Sequence, residues 1–408
     1  MKETEPQNWA LDTLFVHGGE RLRSMHQAGA PTIQPIYTST TYLHTDTDRL
    51  DQAFAENAEG AQSFVYARHG NPNTHALEHV LARAEGGTGA IVTSSGMAAI
   101  QGALVAAGLT SGTKILVAQD LYGATVSLLR TVFAPNGVNV VFKDLCGPHA
   151  SDVIRAEEPD VILVETISNP LVKVIDMDAI SAAAKEVGAL SIIDSTFSTP
   201  YLTQPLAHGF DVVVHSATKY ISGHGDSTAG VVISNKNSFL QQMRSCSILL
   251  GAMLGSFESY LVMRGLKTLA LRMERHCANA LHVAHFLSEH PAIERVYYPG
   301  LECHPQHQLA NQVMRKGLYG GLLTFELQAQ SKAAACHFMD ELHLCLPVTT
   351  LGDIHTEVSY PAISSHRNLT PQERQQNGIT EGCMRLSVGI ENAGDIIQDL
   401  NQALNTLL

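Results

Sequence analysis

The chain has 408 residues, 45% of them apolar and 16% charged, with a net charge of −13. That composition sustains a large core and excludes a disordered chain, and the acidic balance argues against nucleic acid or an anionic membrane as a partner. No run approaches the ~18 apolar residues needed to span a bilayer, and the opening "MKETEPQNWALD" carries no apolar leader core, so a cytoplasmic protein is expected.

Residues 1–65 read as an N-terminal arm. "GAPTIQPIYTSTTY" has two prolines, many hydroxyls and no sustained period. The pattern then changes. "NPNTHALEHVLARAEGG" predicts a helix capped at Asn73 or Thr74, with Leu77, Val80 and Leu81 on one face and Gly86-Gly87 as the stop. Short apolar runs follow: "AIVT", "KILVA", "NVVF", "VILVE", "SIID", "DVVVHS" and "AGVVIS". Helical stretches such as "GMAAIQGALVAAG" and "MDAISAAAKEVG" lie between several of them. This alternation predicts an α/β domain over 66–256, built on a mostly parallel sheet covered on both faces. "SFESYLVMRGLKTLALRMERHCANALHVAHFLSEH" reads as one long helix leading into a C-terminal α+β domain, 257–408. In that domain "IERVYYP", "GGLLTFEL" and "MRLSVGI" are expected strands, and "DIIQDLNQALNTLL" is a final helix burying Ile396, Leu400, Leu404 and Leu407.

Seven scattered cysteines without a CxxC read as free thiols. Cys303, His304 and His307 in "LECHPQH" lack a fourth ligand, and "HALEH" is not a zinc helix, so no metal is expected.

In open parallel sheets, ligands lie beyond the carboxyl ends of the strands. The residues there are Ser94-Ser95-Gly96-Met97 after "AIVT", Glu165 and Asn169 after "VILVE", Asp194-Ser195-Thr196 after "SIID", and Ser216, Thr218 and Lys219 after "DVVVHS". Ser95-Gly96-Met97 opens a helix, and its free N–H groups suit an anion such as a phosphate, to which Ser216 and Thr218 add hydroxyls. Neither GxGxxG nor GxxxxGK[ST] is present. Asp194 reads either as a cap or as a counter-ion to a protonated heterocycle. Lys219 reads either as a solvated lysine or as an amine reaching a cofactor over the strand ends. A lysine beside a phosphate site with a carboxylate across the rim is the layout of a pyridoxal 5'-phosphate (PLP) pocket.

With "YARHGNPNT", "SSGMAAI", "DLYGAT", "VETISNP", "SATKYISGHGD", "MRGLKTLALRM" and "MRLSVGIE" in this order, nearly the whole chain resembles the Cys/Met-metabolism family of PLP enzymes. The resemblance implies the PLP-dependent transferase fold type I. It implies Lys219 as the lysine joined to the cofactor aldehyde and as a proton shuttle, and Tyr122 as the ring that stacks on the pyridine and serves in acid–base catalysis. Asp194 would pair with the ring nitrogen. Ser95, Gly96, Met97, Ser216 and Thr218 would hold the phosphate, with Thr196 and Asn169 also in the cofactor pocket. Tyr66 and Arg68 would reach the phosphate of a neighbouring subunit. Arg385, with Asn169 and Thr350, would hold the substrate carboxylate, a task suited to a guanidinium. The family pairs its subunits, so a homodimer or a dimer of dimers is implied.

The activity implied is that of a C–S lyase acting by β- or γ-elimination on cystathionine, methionine or a related amino acid. The alternative is γ-replacement joining a thiol to an activated homoserine ester, and a third reading is a PLP-binding protein without catalysis. Three positions and one stretch depart from common family patterns. Ala124 stands where methionine γ-lyases commonly have Cys, Tyr360 where many members have His, and Ser195 where Asn is common. "VTTLGD" replaces the Glu-Ser before Leu-Gly-Gly of the cystathionine γ-enzymes, while "SFESYLVMRGLKTL" is nearer to them.

Overall fold

The computed structural model describes residues 9–19, 31–58, 63–367 and 369–408. Of the expected arm, residues 1–8, 20–30 and 59–62 lie outside the described residues, and with them most of "MKETEPQNWALD". Two compact units divide the chain: Met1–Leu109 with Gln204–Ala270, and Thr110–Thr203 with Leu271–Leu408.

The strands in chain order are β1 (Gly89–Thr93), β2 (Lys114–Ala118), β3 (Asn139–Lys143), β4 (Val161–Glu165), β5 (Leu190–Asp194), β6 (Val212–His215), β7 (Gly230–Ser234), β8 (Ile293–Tyr297), β9 (Leu322–Leu327), β10 (Leu346–Pro347), β11 (Glu357–Ser359) and β12 (Cys383–Ser387). Each of the seven apolar runs of the expected α/β domain forms a strand.

In the first unit β7 lies between β1 and β6 and is antiparallel to both. β1 and β6 therefore run the same way, and their carboxyl ends share a rim. Fully buried His215 at the end of β6 meets fully buried Glu85 of the helix Pro72–Glu85 at 2.6 Å. That helix is capped by Asn71, not by Asn73 or Thr74. The Asn71 side chain accepts from the N–H groups of Asn73 and Thr74, Thr74 closes a capping box, and Pro72 takes the first turn. Asn73 is drawn elsewhere: it accepts from the Tyr37 N–H at 2.9 Å and donates to the Pro35 carbonyl at 2.9 Å.

The expected long helix is two, Ser256–Leu266 and Leu269–Glu289. Gly265 packs against the Ser222 carbonyl so closely that a Cβ would collide with it. Thr268 turns both its N–H and its hydroxyl back to the Gly265 carbonyl, which interrupts the helical ladder.

The second unit carries β5-β4-β2-β3, all parallel, and a sheet in the order β10-β11-β12-β9-β8. The three expected C-terminal strands are β8, β9 and β12; β10 and β11 were not expected. Residues Ala280, Ala284 and Leu287 of the helix Leu269–Glu289 pack with Ile396, Leu400 and Leu404 of the helix Ala393–Asn405 onto Leu323, Phe325 and Leu386 of the second sheet. Leu407 is partly buried there.

Candidate active site

In the first unit β1 ends at Thr93 and the helix Gly96–Ala106 begins three residues later. Ser95 caps this helix: its hydroxyl accepts from the Ala98 N–H at 3.1 Å and its carbonyl from the Ala99 N–H at 3.0 Å. The N–H groups of Gly96 and Met97 stand at the open first turn, where a helix carries partial positive charge. Gly96 lies against Ser216, which follows β6; a Cβ on Gly96 would come within 2.7 Å of Ser216 Cβ.

After Ser216 the backbone is tightly tied. The Lys219 N–H donates to the Ser216 carbonyl at 3.1 Å, and the Lys219 carbonyl accepts from Gly223 at 2.8 Å. Gly223 and Gly225 have φ of 70° and 66°, which a side chain resists. Thr218 is clasped to Ala229: its N–H donates to the Ala229 carbonyl at 3.1 Å, and its hydroxyl accepts from the Ala229 N–H at 2.9 Å. Lys219 is thus a half-buried side chain on a fixed backbone, beyond the end of a buried strand.

Tyr66 and Arg68 lie together, the guanidinium 5.6 Å from the ring centre. Arg68 donates to the Ile248 carbonyl at 3.1 Å, near the end of the helix Asn237–Leu250. Tyr66 is exposed. The pair's partners include Thr41, bridged to Tyr66, as well as His69 and Ile248.

In the second unit the carboxyl ends of β2, β4 and β5 share one rim because these strands are parallel. Tyr122 follows β2 with its ring exposed, and its N–H donates to Glu165 Oε1 at 2.8 Å. Glu165 and Asp194 are register partners at the ends of β4 and β5. Asp194 Oδ1 accepts from the Thr196 N–H at 2.9 Å and from the Thr196 hydroxyl.

Asn169, Thr350 and Arg385 come together. Arg385, on β12 and only 3% exposed, donates from Nη1 to Asn169 Oδ1 at 3.2 Å and from Nη2 to the Thr350 carbonyl at 3.0 Å. A guanidinium held in this way has the planar, two-pronged geometry that suits a carboxylate. Thr350 takes part through its carbonyl in this contact.

Two residues here were missed. His366 is 4% exposed, and its pKa is lowered to about 4 by burial and then by the Arg385 charge. It stands near Arg385 as a neutral ring, with Nδ1 2.9 Å from the Ser365 hydroxyl. The Ser365 carbonyl in turn presses on Gly123, where a Cβ would collide with it. The other is Glu165, whose side chain the sequence placed on the rim without a task. Of the departures, Tyr360 spends its hydroxyl on Glu381, at 3.0 Å to both carbonyl and carboxylate, and buried Ser195 pairs with Ser198 at 2.6 Å. His304 and His307 serve their own turn, one accepting from Gln306 and the other meeting the Pro299 carbonyl.

These features fit a phosphorylated pyridine. A cradle only glycine can line stands at an open helix start with a lysine beyond a strand end in the same unit; in the other unit an aspartate ends one strand, an exposed tyrosine follows another, and a buried arginine lies within β12. Such a fold and residue set define a PLP-dependent enzyme of fold type I. Residues 12–405 match the model of the Cys/Met metabolism PLP-dependent enzyme family, and the chain belongs to that family. Its cofactor is pyridoxal 5'-phosphate.

The chain is 39% identical over 406 residues to an L-methionine gamma-lyase of Fusobacterium nucleatum subsp. polymorphum, covering 99% of this chain and 100% of the relative. It is 38% identical to a cystathionine beta-lyase of Lactococcus lactis subsp. cremoris, covering 97% and 99%. Among solved structures it is similar to a cystathionine gamma synthase from Xanthomonas oryzae pv. oryzae in complex with cystathionine, with a TM-score of 0.89, 34% identity and 98% of each chain covered. Among the described residues no helix is long and apolar enough to cross a membrane.

Proposed function

We propose that this enzyme is a C–S lyase that eliminates a thiol from cystathionine, methionine or a related sulfur amino acid. The observation that carries the reading is Arg385, a buried guanidinium fixed by Asn169 and the Thr350 carbonyl, which suits an amino acid's carboxylate. The relatives named for methionine and cystathionine elimination support the choice of substrate class.

Bound PLP supplies an electron sink that acidifies the substrate Cα–H. The chain's part is to place and move protons. Arg385 orients the substrate through its carboxylate. Lys219 Nζ would take the Cα proton. For γ-chemistry a second proton must leave Cβ, and Lys219 Nζ with the Tyr122 phenol covers both steps. The N–H groups of Gly96 and Met97, with the Ser95, Ser216 and Thr218 hydroxyls, would hold the phosphate, and Asp194, oriented by Thr196, would serve the ring nitrogen. Tyr66 and Arg68 serve the phosphate of a neighbouring subunit in a dimer or a dimer of dimers, extending from an arm formed by 1–65.

A second reading is γ-replacement, favoured by the likeness to cystathionine gamma synthase structures. One assay separates them. The loaded enzyme is given a panel of sulfur amino acids, and 2-oxoacid and free thiol are measured; it is then given an activated homoserine ester with and without added thiol. Elimination gives 2-oxoacid and thiol without a co-substrate. A product formed only with ester and thiol together would replace the lyase reading.

A further inference from the structure

Glu165 ends a strand on which every residue is buried, and it is itself 8% exposed. Its Oε1 accepts from the Tyr122 N–H at 2.8 Å. Its Oε2 is buried and has no hydrogen-bond partner among the described residues. Register partners on adjacent parallel strands direct their side chains to the same face, so Glu165 shares a face with Asp194. The two carboxyls are served differently. Asp194 accepts two donors from Thr196, whereas Glu165 has a bare oxygen.

Two like charges at adjacent strand ends repel, and a buried carboxylate with an unsolvated oxygen is costly. One proton relieves both penalties, and the less solvated group takes it. Oε1 is already an acceptor, so the proton belongs on Oε2. The groups around Glu165 agree. Burial and then the Asp194 charge push its pKa well above the usual carboxylate range, and Asp120 adds in the same direction; the backbone groups of Tyr122 and Asn169 oppose. The Asp120 charge is itself met by Lys173 at 3.0 Å.

We propose that Glu165 is a positioning residue that works as an uncharged acid: Oε1 clamps the backbone of Tyr122, and the protonated Oε2 leaves the negative charge of this strand-end pair on Asp194. The inference rests on the reading of Asp194 and Tyr122 as cofactor residues. It goes beyond that reading in giving the pair one proton and Tyr122 a fixed backbone anchor. An ionised Glu165 would divide the pull on a cationic ring between two carboxylates. A missing Glu165 would free the Tyr122 backbone.

Infrared spectroscopy decides the protonation state without reference to turnover. The protein, loaded with PLP and again after the cofactor is stripped, is expected to show at pH 7 a protonated-carboxyl stretch that Glu165→Gln abolishes. Glu165→Gln keeps a neutral acceptor for Tyr122, so its PLP affinity should stay within about threefold of wild type. Glu165→Ala removes the clamp and should weaken PLP at least tenfold, with loss of the induced circular dichroism of the bound cofactor. If Glu165→Gln leaves the infrared spectrum unchanged, or weakens PLP as much as Glu165→Ala, the proposal is overturned. A Glu165→Gln chain that does not fold would also overturn it, since a neutral side chain is what the proposal puts there. A wild-type spectrum without a protonated-carboxyl band would overturn it independently of any variant. A protein that shows the band but binds no PLP would sink the cofactor reading and leave the protonation intact.

Discussion

Gly96→Ala tests the phosphate cradle at its tightest contact. An added Cβ would lie 2.7 Å from Ser216 Cβ, 2.8 Å from Ser216 Oγ and 3.1 Å from Ser216 Cα. Carbon atoms rest at about 3.5–4.0 Å, so the helix start and Ser216 must part by roughly 1 Å. Overpacking of this kind costs about 1–3 kcal/mol. In the cofactor-free protein the gap can open and the strain relax. Binding a phosphate between the two walls restores it. At about 1.4 kcal/mol per tenfold, the PLP dissociation constant should rise by ~5–150-fold. Absorbance titration of the stripped protein with PLP measures this directly. Ser216→Gly removes two of the three clashing atoms, so Gly96→Ala should cost much less in a Ser216→Gly background, a coupling the double-mutant cycle isolates. If Gly96→Ala binds PLP within about twofold of wild type, or costs the same in both backgrounds, the cradle is misplaced.

Arg385→Ala should lower kcat/KM for amino-acid substrates by ~10–150-fold, the loss of a charged hydrogen-bonding group of about 1.5–3 kcal/mol, while PLP retention changes far less; equal losses of both would remove the carboxylate role. His366 has a folded pKa lowered to about 4 against an ordinary value of 6.5, so below pH 6.5 the unfolded chain binds the proton that the folded chain refuses. Stability should therefore fall as pH drops from 6.5 towards 4, by about 2 kcal/mol from this group at pH 5, and His366→Gln should flatten that part of the urea-midpoint profile; a parallel profile in the variant would refute it. Co-assembled Arg68→Ala and Lys219→Ala chains should regain activity that neither parent has, because one site in each mixed dimer then holds both residues; tagged mixed dimers without such recovery would end the idea of a shared site.

The strands were legible because burial on both faces demands unbroken apolar runs, and "KILVA" or "VILVE" admits few other readings. The residues at their ends were legible for the same reason: a strand that ends in Asp194 or leads into Ser216 and Lys219 places polar groups where a sheet leaves them open. What the sequence hid depends mostly on contacts distant along the chain. The helix through Gly265 reads as continuous because nothing in the apolar period marks the turn at Thr268, whose N–H and hydroxyl go back to the Gly265 carbonyl. Asn73 looks like a cap until the Pro35 and Tyr37 backbone claims its side chain. β11 escapes notice because "EVS" carries two polar residues, both buried where it pairs with β12. His366 follows two serines in a stretch without period, and only folding sets it beside Arg385. Glu165 could be placed at a strand end by pattern, but its bare oxygen emerges only in three dimensions.

The Glu85–His215 pair bears on how Lys219 comes to stand where it does. β6 is otherwise valine after valine, and a ladder of like side chains has little to tell one alignment from the next. A slip by one residue would set Val214 or Ser216 opposite Glu85 and strand a fully buried carboxyl without its ring partner. The polar contact works as an index mark on a featureless rail. It admits one setting, and that setting delivers Ser216, Thr218 and Lys219 to the rim in order. Replacing the pair with apolar residues could leave the strand as stable as before and yet remove the mark by which Lys219 is counted into position.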